Sequence, residues 1–386
     1  MSTRDDVESL LKGWDAHERS NGRQPIVDFD CFPEGPEADE ISSRIQVYER
    51  LVELLDRARA DDNDWLIGRL RADIAYVSAM LGQRLPLADY IRETQGATPV
   101  RWPDDYVERR RVEAVEALAG LGIDWGPSTL NDLEDSEGRI SPQETADEIR
   151  AEAERFEAQV RELVDTDAPF TLNVEEVEVD AYWAYWMDGV GERARLRINL
   201  RNAQFTKIRA RQLALHEIHG HALQGASFYQ RAQANDVPWA RLLSVHGPQQ
   251  ILLEGLAQAF PHFIAPDDEP LMARTRLTHY IQLVRGQMHL MVNEDRPVMD
   301  AVDFMRSSLP FSSDAAIADA INDRSVNTQL RSYLWSYGSG MDWFVELSEQ
   351  APDVLKGTLR RAYREPLQPE HLHASWAIGQ ALGVGQ

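Results

Sequence analysis

The chain has 386 residues, of which 64 are acidic and 40 are Lys or Arg, so its formal net charge is −24 at pH 7. A surface this negative repels phosphate backbones and anionic lipids, which argues against binding to nucleic acid or to a membrane surface. Hydrophobic residues make up 43% of the chain, enough to bury a core, and the length suits one large domain or two modest ones.

Cysteine usage and the first residues both favour the cytoplasm. Cys31 is the single cysteine, so no internal disulfide can form and no oxidising compartment is required. The opening stretch MSTRDDVESLLKGWDAHERS lacks a basic segment followed by an apolar one. No run approaches the roughly 18 apolar residues of a membrane span. The sequence therefore predicts a cytoplasmic protein, and it leaves the oligomeric state unknown.

The first portion of the chain, residues 1–165, is predicted to be helical. Apolar residues recur every three or four positions through residues 45–55 and 66–81, the spacing that gives a helix one buried face. Near the end of this portion, Ser141 is followed three residues later by Glu144, with a proline between them. This capping-box pattern predicts the start of a long helix.

The pattern changes after this portion, and residues 166–386 are predicted to form the catalytic, metal-binding part. Short β-like stretches at 169–177 and 193–200 flank an aromatic-rich run, DAYWAYWMDG, which ends in a turn. Beyond residue 204 the pattern is helical again. The predicted fold is therefore mainly α, with one small β-sheet next to the metal-binding helix. The two portions are expected to flank a cleft, as separate units or as one continuous fold.

Three histidines lie within six residues in LALHEIHGHALQ, at His216, His219 and His221, and Glu217 follows the first of them. A helix with the pattern His-Glu-x-x-His carries both imidazoles on one face, where they bind a metal ion and the glutamate acts as general base. Here the spacing is one residue longer, and five positions on an ideal α-helix separate two side chains by about 140°. His216 and His221 can share one ion only if the helix is deformed, most cheaply at Gly220.

The spacing leaves a second pair of ligands open. His216 and His219 lie about 60° apart on an ideal α-helix, which would leave His221 outside the coordination shell. Either pair needs a third ligand, because a catalytic zinc usually has three protein ligands and one open position. Glu254 in the run QQILLEGLAQAF is the candidate, since a carboxylate buried among leucines must be paired or metal-bound. The residues alone thus predict a Zn²⁺ site made of Glu254 and either histidine pair, His216 with His221 or His216 with His219.

These motifs resemble those of the bacterial DUF885 family of metallopeptidase-like proteins. That family shows His-Glu-x-x-Pro-Gly-His-His-x-Gln and, downstream, Glu-Gly-Trp-Ala. The family's proline is missing here, and the resulting HExxGH spacing is similar to that of dipeptidyl peptidase III, a zinc enzyme. The resemblance spans about residues 180–370 and implies a helical, zincin-like metallopeptidase of the gluzincin type. It also implies that His216, His221 and Glu254 hold the Zn²⁺. The matching positions are Gly220, His221, Leu223, Gln224, Glu254, Gly255 and Ala257.

The resemblance continues into segments expected to surround the metal. LVRGQMHLMVNEDRP resembles the family's Gly-x-x-His stretch, and LRSYLWSYGSGMDWF resembles its Arg-Tyr stretch. Tyr337 stands where the family has a proline, and Trp343 where it has a later tyrosine. A negatively charged intermediate needs hydrogen-bond donors near it. The predicted donors, in falling order, are His289, Tyr333, Tyr337, Arg331 and Arg285.

The predicted function is a zinc-dependent hydrolase, a peptidase or amide hydrolase acting on a small peptide or peptide-like substrate. Glu217 would accept a proton from metal-activated water and pass it to the leaving nitrogen. The resemblance also implies that the strand at 193–200 binds an extended peptide by main-chain pairing. The alternatives are a non-peptidase metalloenzyme of a biosynthetic pathway, and a non-catalytic helical binding protein with a remnant metal site.

Overall fold

A computed structural model describes residues 2–180, 184–234, 236–294, 296–377 and 382–384. Within these residues the protein is mainly α-helical with a small mixed β-sheet, which confirms the coarse fold prediction. The helices before residue 165 are α1 (Thr3–Ser20), α2 (Arg44–Ala60), α3 (Asp64–Met80), α4 (Leu87–Gln95), α5 (Asp104–Gly120), α6 (Thr129–Glu137) and α7 (Pro142–Val164).

The second half of the chain contributes a longer series of helices. None of the helices in the described part of the chain is both long enough and apolar enough to cross a bilayer. In chain order they are α8 (Lys207–Leu213), a π-helix (Ala214–Leu223), α9 (Gln224–Ala234), α10 (Gln250–Ile264), α11 (Glu269–Met291), α12 (Val298–Ser308), α13 (Asp314–Ser325), α14 (Leu330–Gln350), α15 (Pro352–Ala362) and α16 (Pro369–Ser375).

The capping box predicted before α7 is confirmed. The Glu144 carboxylate accepts hydrogen bonds from the main-chain N–H of Ser141 at 3.0 Å and from its hydroxyl at 2.7 Å. The helix begins at Pro142, the first position where the missing N–H of proline costs nothing. This start signal was predictable because all its parts lie within four residues of sequence.

The strands form a five-stranded mixed sheet and a separate two-stranded ribbon. In the sheet the order is β3-β5-β4-β1-β7, with β3 parallel to β5, β4 antiparallel to β5, β1 parallel to β4 and β7 antiparallel to β1. The ribbon pairs β2 with β6. The strands are β1 (Phe29–Asp30), β2 (Arg139–Ile140), β3 (Thr171–Val177), β4 (Tyr185–Val190), β5 (Arg193–Asn199), β6 (Phe205–Thr206) and β7 (Leu242–Leu243).

The predicted β-like stretches correspond to β3 and β5, but the role predicted for the strand at 193–200 is wrong. β5 lies between β3 and β4, and Leu196 pairs with Val174 on one side and Met187 on the other. Both edges of β5 are therefore occupied, so an added peptide cannot pair with it. The aromatic-rich run contributes β4, which was not predicted as a strand; Tyr182 and Trp183 of that run lie outside the described residues.

Apolar packing crosses the boundary predicted near residue 165. Phe156 and Val160 of α7 belong to the same buried cluster as Leu215 of the π-helix and Leu252 of α10. A second cluster joins α1, α2 and α3 and includes Leu242 of β7. The helices before residue 165 thus support the strands and helices after it by direct contact.

Helices α10 and α14 cross with their backbones in contact. A Cβ on Gly255 would lie 2.5 Å from Gly340 Cα, and one on Gly340 would lie 2.2 Å from the carbonyl oxygen of Ile251. Any side chain at either position would force the helices apart, so glycine is required at both. This crossing brings the first turns of α14 beside Glu254, the residue that precedes Gly255.

Candidate metal centre and its cavity

The π-helix lies within a continuous helical segment formed with α8 and α9, from Lys207 to Ala234. Hydrogen bonds in a π-helix run from residue i to i+5, so a side chain five positions on lies above the first. The Nε2 atoms of His216 and His221 are accordingly 3.2 Å apart, with the two rings nearly perpendicular. The helix is deformed as the spacing required, but over the ten residues from Ala214 to Leu223 and not as a single-residue bulge.

Gly220 also has a packing role that the sequence did not predict. A Cβ at this position would lie 2.5 Å from Ala257 Cβ and 2.9 Å from Ala257 Cα on α10. Glycine therefore allows the π-helix to touch α10. This contact places the two imidazoles next to Glu254, which lies one helical turn before Ala257.

Substituting Gly220 with Ala is expected to lower the free energy of unfolding by about 1–3 kcal/mol, the usual effect of overpacking a tight contact. Urea unfolding measures this change. Gly357 on α15 is the matched control, because a Cβ there meets no atom within 4 Å. Gly357→Ala should instead stabilise the protein by about 0.5–1 kcal/mol through helix propensity. Equal effects of the two substitutions would contradict the close contact at Gly220.

Glu254 completes a set of three converging side chains. Its Oε2 lies 3.4 Å from His216 Nε2, and its Oε1 lies 3.6 Å from His221 Nε2. Atoms held about 2.0–2.1 Å from a tetrahedral zinc are about 3.3 Å from one another, so the separations fit one ion. Glu254 Oε2 is buried and has no hydrogen-bond partner among the described residues, a deficit that a cation would remove. Imidazole and carboxylate together are a ligand set that suits zinc.

The charges around these atoms also favour a cation. Burial raises the pKa of Glu254, but the two histidines and a hydrogen bond from Tyr333 outweigh it, so the pKa lies below its usual value. Burial lowers the pKa of His221 to about 4. Burial likewise lowers the pKa of His216, but Glu254 and Glu217 outweigh this and raise it overall. Metals bind the ionised form of a carboxylate and the neutral form of an imidazole. Glu254 and Glu217 raise the pKa of His216 because they stabilise positive charge next to them, and a metal cation would be stabilised in the same way.

Glu217 lies beside the three ligands. Its Oε1 is 3.7 Å from His216 Nε2, and its ligand atom falls within 4.8 Å of those of His216 and His221. Glu254 is closer than Glu217 to both imidazoles, so Glu254 is the better candidate for the third ligand. Burial raises the pKa of Glu217 to about 7; His216 lowers it and Glu254 adds to the rise. A carboxyl group with this pKa can both accept and release a proton at neutral pH.

Tyr333 and Tyr337 on α14 occupy distinct positions at the site. The Tyr333 hydroxyl donates to Glu254 Oε1 at 2.5 Å, which uses its only proton. In the 2.8 Å contact between the two hydroxyls, Tyr337 must therefore be the donor. Burial raises the pKa of both tyrosines well above the usual value, so both stay protonated. Tyr333 orients the Glu254 carboxylate, and Tyr337 has the hydroxyl that can turn toward a bound molecule.

The rival ligand pair His216 and His219 is excluded by the direction of His219. Its Nε2 lies 2.9 Å from the carbonyl oxygen of Ala153 on α7, and its side chain is buried on that side of the helix. Burial lowers the pKa of His219 to about 4. On the π-helix the residue three positions from His216 faces away from it, whereas the residue five positions on faces the same way.

Three of the predicted donors do not line the cavity beside the metal centre. His289 is fully buried and packs edge-on against Trp335, with ring centroids 5.9 Å apart. The Arg331 guanidinium donates to Asn293 Oδ1 at 3.0 Å and to the carbonyl oxygen of Leu85 at 3.1 Å. Arg285 is likewise absent from the cavity wall. Of the five predicted donors, the structure brings only the two tyrosines to the cavity.

The cavity that contains the metal centre has a volume of about 400 Å³. Beyond the predicted residues, its wall includes Tyr185 and Trp186 of β4, Phe228 of α9 and Asp28, which precedes β1. The aromatic-rich run was a visible signal for the first two. Asp28 had none, because only the pairing of β1 with β4 and β7 brings it there.

No family model matches the chain, and no curated protein matches it. The chain is similar to a crystal structure of the "putative lipoprotein" from Colwellia psychrerythraea, with a TM-score of 0.57 and 16% sequence identity. The match covers 86% of this chain, and this chain spans 59% of the length of that protein. At this identity the similarity concerns the fold alone, so the resemblance to the DUF885 family stays a prediction.

Proposed function

We propose that the protein is a zinc-dependent hydrolase, with a zincin-like catalytic part, that cleaves amide bonds in small peptide-like substrates. The observation that carries the proposal is the convergence of His216, His221 and Glu254 at separations of 3.2–3.6 Å in the wall of a cavity. Glu217 beside them strengthens it, since a purely structural metal site requires no further carboxylate next to its ligands and no cavity for a substrate.

Each residue of the site has a separate task in this proposal. A bound zinc would supply a Lewis acid and a water molecule acidified toward neutral pH. Glu217 can hold the proton that the attacking water loses and deliver it to the leaving nitrogen. Tyr337 can donate its hydroxyl proton as a hydrogen bond to the carbonyl oxygen of the substrate as that oxygen becomes negative. Tyr333 keeps Glu254 in place throughout.

The free edge of β4 supports a peptide as the substrate. Residues Tyr185–Asp188 pair with β5 on one side, and β1 joins the other side only at Gly189 and Val190. No strand of the described residues covers that edge, and these residues line the cavity. Extended peptides bind such edges by main-chain hydrogen bonds. The peptide-binding strand of this proposal is therefore β4 and not β5.

Incubating the protein with a panel of peptides and acyl amides, with and without a chelator, tests the proposed function. We expect about one zinc per chain, hydrolysis that is lost when the chelator removes the metal, and recovery when one equivalent of zinc is added back. Mass spectrometry of the products and elemental analysis of the protein measure both quantities. Hydrolysis that persists without metal, or a zinc-loaded protein that cleaves nothing in the panel, would contradict the proposal.

The two tyrosines should respond differently to removal of their hydroxyl groups. Tyr337→Phe is expected to lower kcat by about 10²–10³, the effect of losing one donor to a developing oxyanion, without a change in zinc affinity. Tyr333→Phe is expected to lower zinc affinity by about 10–100-fold, as for other outer partners of metal ligands. Kinetics at saturating zinc and competition with a chromophoric chelator separate the effects. A fall in zinc affinity in Tyr337→Phe together with a fall in kcat alone in Tyr333→Phe would contradict these roles.

A further inference from the structure

The cavity beside the metal centre is acidic. Among the described residues, five carboxylates line it and no Lys or Arg does. Glu217 and Glu254 belong to the metal centre. Asp188 is already neutralised, because Arg195 and Arg197 donate to it at 2.8 and 2.9 Å. Two carboxylates remain without an ion-pair partner among the described residues, Asp28 and Asp323.

Asp28 is fixed in position by the sheet. Its main-chain N–H donates to the carbonyl oxygen of Leu243 at 2.9 Å, and its own carbonyl oxygen accepts from Gly189 N–H at 3.1 Å. The side-chain Oδ2 accepts from the N–H of Val245 at 2.8 Å. No comparable hydrogen bond to a described residue holds the carboxylate of Asp323. A carboxylate that is held by paired strands and a hydrogen bond is better positioned to bind a ligand than a carboxylate that no hydrogen bond fixes.

No cation of the described residues forms an ion pair with the Asp28 carboxylate. Burial raises the pKa of Asp28 to about 7; Asp15 and Asp188 add to the rise, and the hydrogen bond from Val245 and the charge of Arg19 only partly oppose it. A carboxylate in such surroundings is costly to ionise unless a cation pairs with it. A ligand with a protonated nitrogen would supply that cation and a charge-assisted hydrogen bond.

The rest of the wall suits the same kind of ligand. Phe29, Tyr185, Trp186 and Phe228 line the cavity. Aromatic faces attract cations and also accept apolar side chains. A volume of about 400 Å³ matches a molecule of a few residues more closely than a folded protein.

We propose that the substrate carries a protonated amine or guanidinium group and that Asp28 is the residue that selects it. This inference rests on the proposed function only in taking the cavity as the substrate site. The cation can be the free α-amine of a peptide or a basic side chain. Both present the same chemistry to Asp28, and the experiment distinguishes them.

The test measures binding in place of turnover. Zinc-loaded Glu217→Gln protein is titrated calorimetrically with Arg-Leu-Leu and with citrulline-Leu-Leu, its neutral isostere, each with a free or an acetylated N-terminus. The same titrations are made in the background Asp28→Asn, which keeps an oxygen for the Val245 N–H and removes the charge. Asp30→Asn is the matched control, since Asp30 lies two residues away, pairs with Lys12 at 3.3 Å and does not line the cavity.

We expect the cationic peptide to bind about tenfold or more tightly than its neutral counterpart. Asp28→Asn should remove that preference, and Asp30→Asn should keep it. If acetylation of the N-terminus weakens binding, the recognised group is the α-amine. If replacement of Arg by citrulline weakens binding, the recognised group is the side chain. Equal binding of charged and neutral peptides, a preference that survives in Asp28→Asn, or no binding of any of the four would overturn the inference.

The outcome is independent of whether the protein is a hydrolase. Native protein that cleaves peptides without any preference for a cation would overturn the role of Asp28 and leave the proposed function standing. Selective, Asp28-dependent binding without hydrolysis in the native protein would support the role of Asp28 and remove the proposed function.

Discussion

Glu217→Gln is expected to lower kcat on a cleaved peptide by about 10²–10⁴, the usual contribution of a general base. The amide that replaces the carboxylate keeps the shape of the side chain but cannot take a proton from water. Because Glu217 is not one of the three converging ligands, zinc should remain bound at one equivalent. Steady-state kinetics of the zinc-loaded variant and of the native protein give the ratio directly.

Zinc content and thermal unfolding of the same samples are the controls for this substitution. A variant that has lost its zinc would make Glu217 a ligand, in the place assigned to Glu254. A variant that retains zinc and full activity would show that Glu217 takes no part in proton transfer, which contradicts the proposed mechanism.

Glu254→Gln is expected to have the largest effect on metal binding. Loss of a residue that hydrogen-bonds a metal ligand lowers metal affinity by about 10–100-fold. Zinc affinity should fall further in this variant, because one of the three ligands itself loses its negative charge. The substitution also leaves the hydrogen bond from Tyr333 without a charged acceptor. Competition with a chromophoric chelator measures the affinity, and hydrolysis should fall in parallel at limiting zinc.

His219→Gln is the matched control for metal binding. His219 lies on the same helix as the two ligand histidines, and its Nε2 contacts the carbonyl oxygen of Ala153, which a glutamine amide can still reach as a donor. We expect zinc affinity close to that of the native protein. A large loss in His219→Gln together with little loss in Glu254→Gln would favour the rival ligand pair and contradict the assigned site.

The sequence predicted those features of the structure that depend on residues close together in the chain. The start of α7 depends on Ser141, Pro142 and Glu144, and the two β-like stretches fall on β3 and β5. The candidate metal ligands could also be predicted, because three histidines in six residues and a glutamate among leucines are chemically unusual. Their spacing even showed that the helix had to be deformed.

Tertiary contacts account for what the sequence could not show. The need for glycine at position 220 depends on Ala257, which is 37 positions away in sequence. Asp28 reaches the cavity only because β1 pairs with strands that follow more than 150 residues later. His289 and Arg331 were carried over by resemblance, and the packing of α11 and α14 places them outside the cavity.

The most direct test of the metal centre is anomalous diffraction at the zinc edge from a crystal soaked in zinc. We predict one ion about 2.0–2.2 Å from His216 Nε2, His221 Nε2 and a Glu254 oxygen, with a position open to the cavity. No ion at these atoms, or a fourth protein ligand that closes the open position, would contradict a catalytic zinc site in this protein.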